Sequence, residues 1–310
     1  MITATISTYN REKYLPGVLR SLAKQTLDHK LFEVVLVDNN SPGNTKEIFE
    51  KFSGEHPSIS CRYYLEINQG LSYGRNRGIK EAKGKYITFI DDDAFLADDY
   101  LEKIYNYFES HQNVAAIGSK ILLHYESIIP AWENKYLNSL LGYFNIGDNE
   151  KEFSKNPAGL LQAGWDYPRG SNMSFRMTVF EKVGLFNVDL GRKGSGMGGS
   201  EEKDIFKRIY NFPELKVVYI PDALVYHCVP VERTTKEFIK KQALGTGSSE
   251  KIRVKNEGLG STVKRYFTEL FKWAASLFLF FVYLIKGQPE KGTMIVRFRY
   301  WVSRGLLSKV

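Results

Sequence analysis

Cysteine is scarce in this sequence, whose 310 residues include only Cys61 and Cys228 and no Cys-x-x-Cys pair. Two cysteines cannot form the disulfide framework of a small secreted domain, and free thiols are typical of a reducing compartment. A signal peptide is not evident, because Met1 leads directly into a segment that alternates like a strand. We therefore expect a cytoplasmic protein.

Long apolar runs are also lacking. Trp273–Ile285 carries no charge, but a helix that spans a membrane needs about twenty apolar residues. Lys272 and Lys286 flank this run. Two interpretations stay open, a buried core helix and a helix that lies in the membrane interface.

Positive charge is concentrated at the C-terminal end. The formal net charge is +8, and Lys and Arg far outnumber Asp and Glu between residues 250 and 310. A basic segment beside apolar and aromatic residues indicates an anionic membrane surface rather than nucleic acid. We expect peripheral contact with the inner face of the cell membrane and no nucleic-acid partner.

The sequence has no internal repeat, and its first hundred residues alternate strand and helix patterns. Met1–Thr8 has a period of two, Glu33–Val37 and Tyr86–Ile90 are apolar runs typical of buried strands, and helical spacings lie between them. This order predicts a doubly wound, mostly parallel, Rossmann-like α/β sheet that binds ligands at the carboxyl ends of its strands.

Polar residues follow the first two predicted strands. Ser7 and Tyr9 come at the end of the first, and Asp38 comes at the end of the second. Tyr9 could stack on a nucleotide base, and Asp38 could accept hydrogen bonds from a base or ribose. Asn, Asp and Ser are also common turn residues, so a purely structural role stays open.

Three carboxylates, Asp91, Asp92 and Asp93, follow the buried strand Tyr86–Ile90 directly. A charge cluster at the end of a buried strand is costly unless it is neutralised. Mg²⁺ or Mn²⁺ bridging to a diphosphate would neutralise it, since hard cations prefer oxygen ligands. A solvated acidic loop is the alternative.

Two further stretches carry charged groups. In Asn68–Gly78 the glycines permit close backbone approach, and Arg75 could reach a phosphate or hold the acidic cluster. The second stretch is Gly198–Asp204, where the Gly-rich loop Gly191–Ser200 meets a predicted helix. The first turn of this helix is acidic, which the helix dipole alone would favour. His227 follows later, and a single histidine is more often a core residue than a metal ligand.

Taken together, these stretches resemble the inverting family 2 glycosyltransferases, which have a GT-A fold. The resemblance covers about Ile2 to Ser248, and the motifs occur in the family's order: STYNR, VDNNS, NQGLSYGRNRGI, FIDDDA, GSNMSFR, GSEEKDI and YHCVPVER. Any one motif is weak, whereas the ordered set is specific.

The resemblance implies a role for each matching residue. The nucleotide sugar would be bound by Ser7, Tyr9, Asp38, Asn68, Arg75, Asp91 and Asp92, and Mn²⁺ or Mg²⁺ by Asp93 with His227. Glu202 would be the catalytic base, although the family usually has Asp at this position. Acceptor binding or loop support is assigned to Glu201, Asp204 and Trp165.

The resulting hypothesis is an inverting transfer from a nucleotide-diphosphate sugar to a hydroxyl of a glycan or lipid-linked acceptor, in surface polysaccharide or glycan biosynthesis. Residues 1–118 would bind the donor, residues 119–248 would bind the acceptor and carry the base, and residues 249–310 would form the helical, membrane-contacting region. A sugar-1-phosphate nucleotidyltransferase is one alternative, but it would need a Gly-rich phosphate loop after the first strand. A non-catalytic carbohydrate-binding protein is the other.

Overall fold

The computed structural model describes residues 1–153, 167–192 and 201–308. Its strands are β1 (Ile2–Thr8), β2 (Phe32–Asp38), β3 (Ser60–Leu65), β4 (Tyr86–Asp91), β5 (Ala94–Leu96), β6 (Val114–Tyr125), β7 (Lys151–Glu152), β8 (Met173–Arg176) and β9 (Lys216–Val229). Its α-helices are α1 (Leu15–Ala23), α2 (Thr45–Glu55), α3 (Leu71–Glu81), α4 (Tyr100–Ser110), α5 (Thr178–Val183), α6 (Glu201–Ile209), α7 (Lys236–Glu257), α8 (Leu259–Ile285) and α9 (Pro289–Leu307).

The strands form one mixed sheet in the order β3-β2-β1-β4-β8-β6-β9-β5, with β7 beside β9. Strands β1 to β4 are parallel, as the alternating pattern predicts, and β8 runs antiparallel to both β4 and β6. The predicted α/β fold is confirmed, and its first four strands form a parallel part to which antiparallel strands are added.

The parallel register brings the carboxyl ends of three strands level. Thr8 of β1 pairs with Asp38 of β2, and Ser7 pairs with Asp91 of β4. Strands β1, β2 and β4 are almost entirely buried, because helices cover the sheet with apolar residues at helical spacing, such as Leu15, Val18, Leu19 and Leu22 of α1. The polar residues just beyond these strand ends are therefore placed next to one another.

The chain divides into two compact units. Unit 1 consists of residues 1–122 and 144–227, and unit 2 consists of residues 123–143 and 228–310. Unit 1 contains the parallel strands and the main hydrophobic core. Unit 2 has a smaller core built from residues such as Trp132, Leu141, Ile239 and Ile295. The three-part division predicted from the sequence stays a prediction.

Helix α8 of unit 2 is longer than the charge-free run indicated, because Trp273–Ile285 is only its second half. By length and composition alone it is the one helix in the described part of the chain that could cross a membrane, with a mean hydropathy of 1.5 over its most apolar window. Only 11% of that window is buried. The interpretation of this run as a buried core helix is therefore wrong.

Candidate functional site

The polar side chains at the ends of β1 and β2 lie side by side. Asp38 is buried, and its two carboxylate oxygens accept hydrogen bonds of 2.8 Å from the Tyr63 hydroxyl and from the backbone N–H of Ser41. The Oγ of Ser7 is buried and has no hydrogen-bond partner among the described residues. Tyr9, just past β1, is 39% exposed. This edge of the sheet therefore carries buried polar atoms, from Ser7 and Asp38, and the exposed ring of Tyr9.

Asn39 and Asn68 join the loops that follow β2 and β3. The Nδ2 of Asn39 donates to the carbonyl of Asn68 at 2.6 Å, and its Oδ1 accepts from the N–H of Gly70 at 2.7 Å. Gly70 has φ of 145°, a conformation that favours glycine, and α3 begins directly after it. Asn68 is therefore held against Asn39, the residue that follows Asp38, and its own side chain donates to Glu66.

The acidic cluster after β4 is neutralised in part by Arg11. The Nε of Arg11 lies 3.4 Å from Oδ1 of Asp92, and its Nη2 is paired with Oδ2 of Asp93. Asp92 also accepts a hydrogen bond of 2.7 Å from Thr8. Asn10 has φ of 53°, so the chain turns sharply between β1 and Arg11. This turn brings the guanidinium back over the acidic residues.

A potential cation site lies beside this pair. Ligand atoms of Asp91, Asp93 and His227 all lie within 4.8 Å of one another. His227 is there because β9 pairs with β5, which places it opposite Ala94, and its Nε2 lies 3.4 Å from Oδ1 of Asp93. Two carboxylates and an imidazole are suitable ligands for a divalent cation. The residues that the sequence proposed for metal binding are thus brought together.

Burial and, to a smaller extent, the neighbouring charge of Asp93 raise the pKa of Asp92 to about 7, while Arg11 and the hydrogen bond from Thr8 act in the opposite direction. A carboxyl group with such a pKa gains from any additional positive charge. The electrostatics of the cluster therefore favour the binding of a cation.

Arg75 links the cluster to the beginning of α6. Its Nη1 donates a hydrogen bond of 2.9 Å to Oε1 of Glu201. Its Nη2 lies 3.7 Å from Oε1 of Glu202 and 3.8 Å from Oδ1 of Asp91. Arg75 and Glu201 are both 2% exposed. The sequence offered two roles for Arg75, and the contacts described here are those of a residue that holds carboxylates in place.

Glu202 and Asp204 have different surroundings. Burial raises the pKa of the Glu202 carboxyl, Arg75 lowers it, and the charges of Glu201 and Asp91 raise it again. Asp204 instead accepts two hydrogen bonds from Arg208, one turn further along α6. Asp204 thus serves as an anchor within its helix, whereas Glu202 lies against the Arg75 side chain.

Several features fall outside the sequence reasoning. Arg11, Thr8 and Asn39 were missed as partners of the site residues, although Arg11 belongs to the quoted STYNR motif. The sequence did contain a signal for Arg11. It is a basic residue three positions after β1, and β1 was predicted to end beside the acidic cluster. Trp165 and residues 193–200 of the proposed loop lie outside the described residues.

Residues 3–184 match glycosyl transferase family 2, and this match covers more than half of the chain. The chain therefore belongs to glycosyltransferase family 2. A transferase of this family is neither a nucleotidyltransferase nor a non-catalytic sugar-binding protein, so both alternatives are excluded.

Individual relatives agree with this assignment. The chain is 25% identical over 255 residues to a glucosyl-dolichyl phosphate glucuronosyltransferase of Haloferax volcanii, covering 81% of this chain and 76% of the relative. Mannosyltransferase PcManGT of Pyrobaculum calidifontis, solved with GDP-Man and Mn²⁺, superposes with a TM-score of 0.61 at 16% identity, covering 100% of this chain and 88% of that one.

TarS of S. aureus, in its 1–349 form solved with UDP, superposes with a TM-score of 0.52 at 19% identity. That match covers 79% of this chain and 65% of the TarS chain, so the present chain spans just under two thirds of it. At this identity the two solved structures show the fold alone, and that fold is GT-A.

Proposed function

We propose that this protein transfers a sugar from a nucleotide-diphosphate sugar to a hydroxyl group of an acceptor, in a single inverting displacement that depends on Mn²⁺ or Mg²⁺. The observation that carries the proposal is the arrangement around Arg75. One guanidinium group contacts Asp91, which belongs to the potential cation site, and also contacts Glu202, the candidate base.

The donor would bind across the ends of β1, β2 and β4. Tyr9 offers an exposed ring for the base, and Ser7 and Asp38 offer polar atoms for the base and ribose. Asp91, Asp92, Asp93 and His227 would surround the diphosphate together with the cation. When bound there, the cation would supply positive charge to the leaving diphosphate. PcManGT, which has this fold, was solved with a nucleotide sugar and Mn²⁺.

Glu202 would act as the general base. Its carboxylate takes the proton from the acceptor hydroxyl while that oxygen bonds to the anomeric carbon. The bond between the anomeric carbon and the diphosphate oxygen breaks in the same step, and its electron pair leaves with the diphosphate. One displacement inverts the anomeric carbon. Glu201 and Arg75 would hold the base in position, because both are buried and paired with each other.

The acceptor would be a glycan or a lipid-linked sugar, in the biosynthesis of surface polysaccharide or other glycans. The glucuronosyltransferase to which the chain is similar is named for glucosyl-dolichyl phosphate, which is a lipid-linked sugar. We place the reaction at the cytoplasmic face of the cell membrane, with peripheral contact through unit 2. Two free cysteines and a basic C-terminal region support this location.

Replacement of Glu202 tests the proposal. Glu202→Gln keeps the size and hydrogen bonding of the side chain but removes its basicity, so turnover should fall about a hundredfold or more while donor affinity is retained. Asp204→Asn is the matched control in the same helical turn, and it should change turnover far less. Turnover is measured as nucleoside diphosphate release, and donor affinity by calorimetry. If Asp204→Asn is inactive with normal donor binding and Glu202→Gln is active, the base is Asp204.

A further inference from the structure

Helix α8 has the reverse of the polarity expected for a helix in water. Its buried side chains are Arg265, Glu269 and Ser276. Its exposed side chains are predominantly apolar, and the larger ones are Leu259, Val263, Tyr266, Phe267, Leu270, Phe271, Leu277, Phe278, Phe281, Leu284 and Ile285. A helix on the surface of a soluble protein places its apolar stripe inward. Here the apolar stripe faces outward along the whole helix.

The polar side chains beneath this stripe bind one another. Glu269 accepts hydrogen bonds from Nη1 of Arg265 at 2.7 Å and from the hydroxyl of Ser303 on α9 at 2.8 Å. Arg299 of α9 lies 3.3 Å from both carboxylate oxygens of Glu269, and Nε1 of Trp273 donates to Ser303 at 2.9 Å. These contacts pair the carboxylate of Glu269 with cations and a hydroxyl inside the protein, as is needed for a helix that lies against hydrocarbon.

The outward surface also contains a groove of about 400 Å³ between α8 and α9, bordered by Tyr266, Phe267, Leu270, Trp273 and Leu306. Ile285, at the end of the stripe, is 86% exposed. A contiguous apolar surface of this length is unusual on a protein that meets only water, and it marks a contact with another apolar phase.

Helix α9 limits the depth to which α8 can insert into a bilayer. It packs along α8, and its Arg297, Tyr300 and Arg304 are exposed. If α8 crossed a bilayer, α9 would enter with it and carry Arg297 and Arg304 into the hydrocarbon, at high cost. An orientation in the plane of the interface avoids this cost, because the arginines then reach the headgroups while the apolar stripe is immersed.

We propose that α8 is an in-plane membrane anchor, inserted into the surface of a bilayer rich in anionic lipid. Exposed Lys264 and Lys272 on α8, and Lys286 directly after it, supply attraction to anionic headgroups in addition to the arginines of α9. All of these residues belong to unit 2, so the proposal goes beyond the glycosyl-transfer chemistry and does not depend on it.

Flotation of the full chain with vesicles tests the anchor. Wild type should float with vesicles of phosphatidylcholine and phosphatidylglycerol, and it should bind much less to phosphatidylcholine alone. Phe271→Glu and Phe278→Glu, each on the exposed stripe, should weaken binding at least about tenfold. Ile252→Glu is the matched control, an exposed apolar residue on α7 of the same unit, and it should bind like wild type. Hydrolysis of soluble donor should be unchanged in all three variants, so a failed anchor is distinguishable from a failed enzyme.

Three outcomes would overturn the proposal. Wild type that fails to float with anionic vesicles has no anchor. Stripe variants that float like wild type would remove α8 as the contact. If the lipid-free chain instead forms a dimer that Phe278→Glu dissociates, and wild type does not float, a second copy of the chain covers the stripe. Sedimentation velocity without lipid gives that measurement.

Discussion

Arg75 of α3 and Glu201 of α6 form a hydrogen bond of 2.9 Å between Nη1 and Oε1, although 126 positions separate them in the sequence. Both side chains are almost completely buried. The pair fixes the start of α6, and therefore Glu202, relative to the end of β4. This ion pair makes the geometry of the candidate base a property of the folded core of unit 1.

Arg75→Met should destabilise the protein by about 3 kcal/mol or more, because it leaves the Glu201 carboxylate buried without its partner. Arg77→Met on the same helix is the control. Arg77 pairs with Glu81 one turn away and is partly exposed, so its loss should cost less than about 1 kcal/mol. Urea unfolding measures both free energies. Equal losses of unfolding free energy in the two variants would show that the buried pair stabilises the protein no more than the partly exposed pair does.

Asp93→Ala should abolish transfer and reduce cation-dependent donor binding at least about a hundredfold, since it removes a ligand from the potential cation site. Asp99→Ala is the control, an acidic residue close in sequence whose carboxylate pairs with the half-buried Lys103. Donor affinity is measured by calorimetry with Mn²⁺ and with chelator. The metal assignment is wrong if Asp93→Ala binds donor equally well in both conditions and matches wild type in Mn²⁺.

Tyr9→Ala should weaken the binding of free nucleotide about tenfold through the loss of base stacking, and it should leave the unfolding free energy nearly unchanged because Tyr9 is exposed. Tyr136→Ala removes a similarly exposed ring from unit 2 and should not affect nucleotide binding. Unchanged nucleotide affinity for Tyr9→Ala would return Tyr9 to the role of a turn residue.

The raised pKa of Asp92 should be visible in how the stability of the protein depends on pH. Its folded pKa, about 7, lies above its ordinary value of 3.8. Its contribution to stability is therefore complete below its unfolded pKa and is lost as the pH rises through about 7. In chelator, Asp92→Asn should become more stable relative to wild type between pH 5 and pH 8.

Thermal unfolding of both proteins across that pH range measures the difference. Because a bound cation favours the charged carboxylates, the stabilisation of wild type by Mn²⁺ should grow over the same range. A difference between the two proteins that does not vary with pH would show that Asp92 titrates at an ordinary pKa.

The sequence alone determined the parallel half of the fold and the edge of the sheet at which the candidate site residues gather. Apolar runs such as Glu33–Val37 and Tyr86–Ile90 have to be buried, and parallel strands bring their carboxyl ends to one edge. The sequence therefore predicted that Ser7, Asp38 and Asp91 are neighbours, because local patterns determine where their strands end. The assignment of their individual roles stays a prediction.

The tertiary structure alone decided which distant groups meet. His227 reaches Asp93 only because β9 pairs with β5, and Arg11 returns to the acidic cluster only through the turn at Asn10. The polarity of α8 was likewise beyond the sequence, since its polar side chains are buried by Arg299 and Ser303 of another helix. A periodicity gives the faces of a helix, but which face is covered depends on long-range packing.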